Sequence, residues 1–329
     1  MKQIIKLSIL FFFPLITALC TYLILHYLFL SAYMPKSTET KLIIVKGDTK
    51  EIGKLLEDEK IIKHWWSFHT IAKLRSFNNK INIGEYELSA AMTPLSIVKK
   101  INKADVKVRE LKIAPADTIT KIIEKFRVAG IGTKEELEQK FYDKEYIVSL
   151  GIKNGTLEGR LFPSTYKFSL PITIEEMISK ILEQEKKHWL PIYDQQAKFL
   201  GMDKEEILIL ASIIEGECTE LNIVKDQLTL RNVSATYHNR LKKELPLNAT
   251  STVYYGKPYE ARPLTEEAKK QYSPFNTFLN IGLPPTPICS PSSKAIKAAL
   301  YPTSGNFISF SLNPNNKSLY FIDAVDIKN

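Results

Sequence analysis

Two glutamates separated by one glycine, near the end of the stretch Asp203 to Cys218 (DKEEILILASIIEGEC), have the residue type and spacing for acid–base chemistry. At about 100° per residue, Ile207, Leu210, Ile213, Ile214 and Glu217 fall on one face of a helix, while Glu215 falls roughly opposite, near Ala211, Ser212 and Thr219. A carboxyl group among Leu and Ile side chains loses solvation of its charged form. It then stays protonated near neutral pH and can act as a general acid. Glu217 is therefore the candidate catalytic residue, and Glu215 is expected in a supporting or structural role. A third acid, Glu158 in LEGRLFPSTY, could orient the catalytic acid or pair with Arg160 or another cation. The sequence has no metal-ligand spacing and no phosphate-binding glycine loop, so neither a metal nor a cofactor is expected.

The acids need a framework. Residues 154–329 read as one mainly helical α+β domain, with helices over Ile174 to Trp189, Asp203 to Cys218 and SSKAIKAAL, turn-rich loops, and short strands at FISFS and SLYFI. Before it, residues 40–152 read as a module of two related halves. KLIIV opens as a strand, Asp48-Thr49 caps EIGKLLEDEKII, a second helix runs through HWWSFHTIAKLR, and a strand at Gly84-Glu85-Tyr86 leads through Thr93-Pro94 into another helix. Strand, helix, helix, strand is the order of a LysM-type sugar-binding module. LKIAPADTITKIIEKF repeats its opening with Asp117-Thr118 as the cap. His64, Trp65, Trp66 and His69 lie at helical spacing and are expected to fill this module's small core.

From Leu7 to Pro35 there is no Asp, Glu, Lys or Arg, enough apolar chain to cross a bilayer as a helix. With Lys2 and Lys6 ahead of it, residues 1–6 are expected in the cytoplasm and everything after Lys36 on the extracytoplasmic side of the cell membrane. The run is longer than a signal-peptide core and leaves through SAYMP, which favours an uncleaved anchor. Across 329 residues, 25% charged and 44% apolar residues describe a folded chain. Its net charge of +9 comes from Lys interleaved with Glu, without a basic helix or an aromatic RNA-binding signature. Nucleic acid is thus excluded as a partner, and anionic lipid or cell-wall polymer fits better. Three cysteines are too few for a disulfide scaffold, and Cys218 and Cys289 could be paired or free.

IGEYELSAAMTPLSIVKKI, LEGRLFPSTY, LASIIEGEC, HNRL, TVYYG and NTFLNIGLPPTPI follow the apolar segment in one order. Together they resemble the endolytic murein transglycosylases of the MltG (YceG-like) family over nearly the whole chain. The resemblance implies a membrane-bound lyase that cuts peptidoglycan glycan strands internally, between N-acetylmuramic acid and N-acetylglucosamine, leaving 1,6-anhydro ends. It also implies work on nascent strands beside the peptidoglycan synthases. One carboxyl suffices for that reaction, because the C6 hydroxyl replaces water as the attacking group. Hydrolysis would need a second carboxyl, for which Glu158 is the candidate. Cys218 stands where lytic transglycosylases carry Ser or Thr after the acid. The resemblance places Asn239, Arg240, Asn248, Tyr255, Asn276 and Thr277 along the sugar cleft, with Leu283-Pro284-Pro285 as a rigid wall. The chain departs from the family's Gln-x-Asp-Pro-Thr-Val pattern, reading Asn248-Ala249-Thr250-Ser251-Thr252-Val253. Loss of that acid leaves two expectations open: weakened catalysis, or a non-catalytic peptidoglycan-binding scaffold.

Overall fold

The computed structural model describes residues 2–26, 32–74, 81–223, 225–257, 265–313 and 318–323. They form an α+β protein with three small two-stranded sheets among helices, and they fall into two compact units, Met1–Arg109 with Lys167–Ile172, and Glu110–Tyr166 with Thr173–Asn329. The segment 110–152 thus packs with the chain from 154 onward rather than with residues 40–109.

In the first unit, helix α1 (Lys2–Leu25) precedes strand β1 (Lys41–Val45), helices α2 (Thr49–Asp58) and α3 (Trp65–Leu74), strand β2 (Gly84–Leu88) and helix α4 (Pro94–Asn102). β1 and β2 pair antiparallel, from Lys41 opposite Leu88 to Val45 opposite Gly84. The strand–helix–helix–strand order follows from local signals. Asp48 closes a capping box with Glu51 at the start of α2, and Thr93 caps Ser96 before the N-terminal proline of α4. The core of this unit is built on Ile52, Leu56, Phe68, Ile71, Tyr86 and Ile97. Trp65 and Trp66 do not fill it. Both are half-buried, Trp66 stacking on His64 with ring centroids 5.5 Å apart. The α3 helix turns Phe68 and Ile71 inward instead, one turn further along. Helix α1 covers the first part of the expected membrane segment, residues 7–35, and residues 27–31 lie outside the described residues. Among the described residues, no helix is long and apolar enough to cross a membrane.

Most of strand β3 (Arg109–Ile113) and of strand β4 (Ser164–Phe168), which pairs with it, belongs to the second unit, as do helices α5 (Ile119–Val128), α6 (Lys134–Phe141) and α7 (Lys144–Ser149). Helices α8 (Ile174–His188), α9 (Pro191–Phe199), α10 (Lys204–Glu220), α11 (Gln227–Lys242), α12 (Thr250–Tyr254), α13 (Glu266–Lys270) and α14 (Ser293–Leu300) follow. Strands β5 (Phe307–Leu312) and β6 (Leu319–Asp323) form a hairpin with Phe310 opposite Phe321. Helix α10 is the axis of this unit. Its start is fixed by a capping box in which Asp203 Oδ1 accepts Glu206 N–H at 2.9 Å and Glu206 Oε2 accepts Asp203 N–H at 2.8 Å.

Every residue of α10 from Ile207 to Cys218 is buried. The one-sided apolar stripe expected from helical phase is therefore a helix enclosed all round, by α11, α12 and α14. A helix buried on every side must satisfy any acid it carries from its neighbours.

Candidate active site

Glu217 is 4% exposed. Its Oε1 accepts the backbone N–H of Ser251, in α12, at 2.6 Å. Burial pushes its carboxyl up to about 7, against the opposing pull of that N–H, and Glu220 on the same helix adds to the rise. Tyr237 of α11, also fully buried, interacts with it, and its phenol is raised well above the usual range by burial and then by the Glu217 charge. Cys218 faces the core among Leu230 and Val233, with burial pushing its thiol up to about 12. Cys218 and Cys289 are both free and buried.

Glu215 is fully buried too, not solvated at a helix end. Its environment is polar. Oε1 is ion-paired with the Lys225 ammonium, and Oε2 accepts the Ser292 N–H at 3.1 Å and the Ser292 hydroxyl at 2.5 Å. Lys225 also donates to Thr219 Oγ1 at 2.6 Å. A carboxylate that meets one cation and two further donors ties α10 to the start of α14. A cleft of about 520 Å³ opens onto Glu215, lined by Lys112, Phe162, Ser164, Lys225, Ser293 and Lys294; Glu217 does not line it.

Glu158, 1% exposed, makes no ion pair with Arg160. Arg160 pairs instead with Glu185 and Glu205. Both Glu158 oxygens lie 3.1 Å from the Ile119 N–H at the start of α5, and Oε2 accepts the Tyr255 hydroxyl at 3.1 Å. Burial pushes this carboxyl up to about 7, against the pull of those donors. The following residue must be glycine: Gly159 has φ +74°, and a Cβ there would sit 2.3 Å from Pro287 Cβ. Tyr255 immediately follows α12, so Glu158 holds one end of the short helix whose other end holds Glu217.

The remaining expected cleft residues divide by what their polar atoms meet. Asn239 Nδ2 donates to the Gly305 and Phe307 carbonyls, each at 2.9 Å, and Arg240 donates to the carbonyls of Pro246 at 2.7 Å and Ile308 at 2.6 Å. Together they fasten β5 to α11. Asn276 is fully buried. It donates to the Lys269 and Gln271 carbonyls and accepts the Phe278 N–H, closing its own loop. Thr277 Oγ1 accepts the Ala249 N–H at 3.0 Å and lies 2.9 Å from Thr252 Oγ1, which locks the start of α12. Asn248 alone of the six is exposed, in the left-handed region at φ 55°, a conformation asparagine tolerates well.

Sequence reasoning had no signal for Ser251 as a partner of Glu217, because a backbone N–H is common to every residue but proline. Gly216 carried one: a glycine inside an apolar helix costs stability unless something approaches it closely. Here a Cβ would sit 2.8 Å from Ser251 Cβ and 3.0 Å from Ser251 Oγ. Among the described residues, no cluster of His, Cys, Asp or Glu could hold a metal ion.

Residues 42–326 match the YceG-like family, and the chain belongs to that family. A protein of Streptococcus pneumoniae strain D39 named endolytic murein transglycosylase is 26% identical over 328 residues, covering 89% of this chain and 58% of the relative. This chain thus spans less than two thirds of that relative's length. A Bacillus subtilis protein of the same name is 27% identical over 288 residues, covering 82% of this chain and 77% of the relative. The crystal structure of a YceG-like protein from Listeria monocytogenes superposes with a TM-score of 0.58 at 25% identity, over 89% of this chain and 99% of that one.

Proposed function

We propose that this protein is a lytic transglycosylase of peptidoglycan in which Glu217 serves as both acid and base. The observation that carries the reading is the contrast between two acids on one helix: Glu215 meets a cation and two donors, whereas Glu217 meets no cation in its hydrogen bonds, only neutral donors at the start of α12, and has a carboxyl raised by burial to about 7. Glu217 gives its proton to the glycosidic oxygen as the bond from muramoyl C1 to that oxygen breaks. Its carboxylate then takes the proton of the C6 hydroxyl as O6 closes onto C1. Atoms and protons balance without water, and the acid is regenerated. The names of the relatives in Streptococcus and Bacillus support this substrate and reaction class.

In this reading Glu158, Asn239, Arg240, Tyr255, Asn276 and Thr277 hold the backbone around the site rather than touch sugar, because their polar atoms meet protein groups. Asn248, exposed at the entrance to α12, is the member of the set left to contact glycan. The uncharged run from Leu7 to Pro35 supports anchoring in the cell membrane, where the enzyme would meet nascent strands beside the synthases.

The test is digestion of purified glycan strands with the full chain and with its E217Q and E215Q variants, followed by mass analysis of the ends. Anhydro ends from wild type and from folded E215Q, but not from E217Q, are expected. Reducing ends would replace lysis by hydrolysis. Cleavage surviving in E217Q but lost in folded E215Q would move the chemistry to the cleft at Glu215. No cleavage by any form would leave the scaffold.

A further inference from the structure

The side chains around Glu217 explain its apolar setting but not its orientation. We propose that Ser251 is a positioning residue for the Glu217 carboxyl, its backbone N–H fixing Oε1 so that Oε2 is the oxygen that gives and takes the proton. The inference rests on the reading of Glu217 as acid and base. Ser251 N lies 2.6 Å from Oε1, a short hydrogen bond. Ser251 is 6% exposed, and its hydroxyl is buried without a well-formed hydrogen bond; amide and hydroxyl both favour the charged Glu217 carboxyl, the amide more strongly, and the Thr250 amide adds a weaker pull.

The placement of this N–H is over-determined. Gly216, lacking a side chain, lets Ser251 come against α10 beside the acid. Thr277 fixes the start of α12 through the Ala249 N–H, and Thr252 Oγ1 bonds both the Ala249 carbonyl at 2.7 Å and Thr277 Oγ1. Tyr255 fixes the far end on Glu158. A donor held this firmly needs no reorganisation when charge develops on Glu217, which is the condition for stabilising the transition state more than the ground state. Among the described residues, the ionisable groups that interact with Glu217 include Glu220 and Cys218 on its own helix and Tyr237 on α11. None of them supplies a positive charge, so the N–H acts on the carboxylate without a competing cation among these groups.

The experiment follows Glu217 directly, by carbon NMR of the full chain labelled at the glutamate carboxyl, with its resonance assigned by its absence in E217Q. Three variants are compared with wild type: S251P, which deletes the N–H; the α-hydroxy-acid analogue at position 251, which deletes it as an ester while keeping the side chain; and S251A, which deletes only the hydroxyl. Losing a donor to the charged form raises the titration midpoint. The expected rise is about one to two pH units in S251P and in the ester, with a smaller rise in S251A. With glycan strands below pH 6, the expected change is about a tenfold fall in kcat with KM little altered, and the alkaline limb of the profile moves upward with the midpoint. If S251P misfolds, the ester decides. An unchanged midpoint in the folded ester, or a rise in S251A as large as in the ester, overturns the proposal. If the midpoints move as expected but no form, wild type included, makes anhydro ends, the positioning stands and the catalytic reading falls.

Discussion

Gly216→Ala is the smallest change that separates the two acids from the helix they share. The added methyl would lie 2.8 Å from Ser251 Cβ, 3.0 Å from Ser251 Oγ and 3.3 Å from Ile288 Cδ1. Carbon contacts settle at about 3.5–4.0 Å, so Ser251 must retreat by roughly 1 Å. The 2.6 Å bond from Ser251 N–H to Glu217 then stretches past hydrogen-bonding range. Overpacking costs about 1–3 kcal/mol and alanine in place of helical glycine returns about 1 kcal/mol, so the net loss is about 1 kcal/mol. For a folded unit of this size, Tm falls by about 2–4 °C. Loss of the N–H favours the protonated acid, so the alkaline limb of the activity profile, near pH 7 in wild type, moves upward by about one pH unit. Thermal unfolding and initial rates of anhydro-end formation from pH 5 to 9 check both numbers. A G216A protein at least as stable as wild type, with an unmoved profile, would refute the packing argument and the role of the bond together.

Stability should fall with rising pH through the raised acids. Glu158 and Glu217 both sit at about 7 when folded against an ordinary 4.5, so the protonated form belongs to the folded state. Their contribution is complete below about pH 4.5 and is lost as pH rises through about 7, by about 3 kcal/mol for each. Glu158→Gln cannot ionise and its amide oxygen still accepts the Ile119 N–H, so urea midpoints measured at pH 5 and pH 8 should differ by about half as much as in wild type. Asn239→Ala deletes two bonds to the β5 backbone and should cost about 1–2 kcal/mol by urea unfolding. KM for glycan should stay unchanged at temperatures where the variant is folded; a raised KM with unchanged stability would instead return Asn239 to the sugar cleft.

Local signals in the sequence carried much of the fold. Asp48, Thr93, Thr118 and Asp203 all cap the helices expected after them, and α10 runs from Lys204 to Glu220 where Asp203 to Cys218 was expected. What phase alone could not convey is the surround. Period 3.6 places residues on faces, but it does not say that α14 and Lys225 will enclose the opposite face and bury Glu215 as deeply as Glu217. The polar company expected for Glu215 is there, yet two of its donors come from Ser292, 77 residues away. STYKF was legible only as part of a turn-rich motif. It becomes β4 because β3, some fifty residues earlier, supplies its partner. The departure at Asn248–Ser251 read as a loss from the cleft, whereas in the structure Ser251, which replaces a proline of the pattern, contributes the N–H bonded to Glu217.

The groups that set Glu217 and Glu158 are gathered from around Ile119, Gly159, Tyr237, Ser251 and Tyr255, stretches far apart along the chain. Before those stretches meet, Glu217 is an ordinary carboxylate with its proton already lost to water. The chain is then born unarmed, and arming it consumes hydrogen ions: folding near pH 6 takes up nearly two of them, one for each raised acid. In the proposed reading, the proton that Glu217 would donate is held only once these long-range contacts have closed.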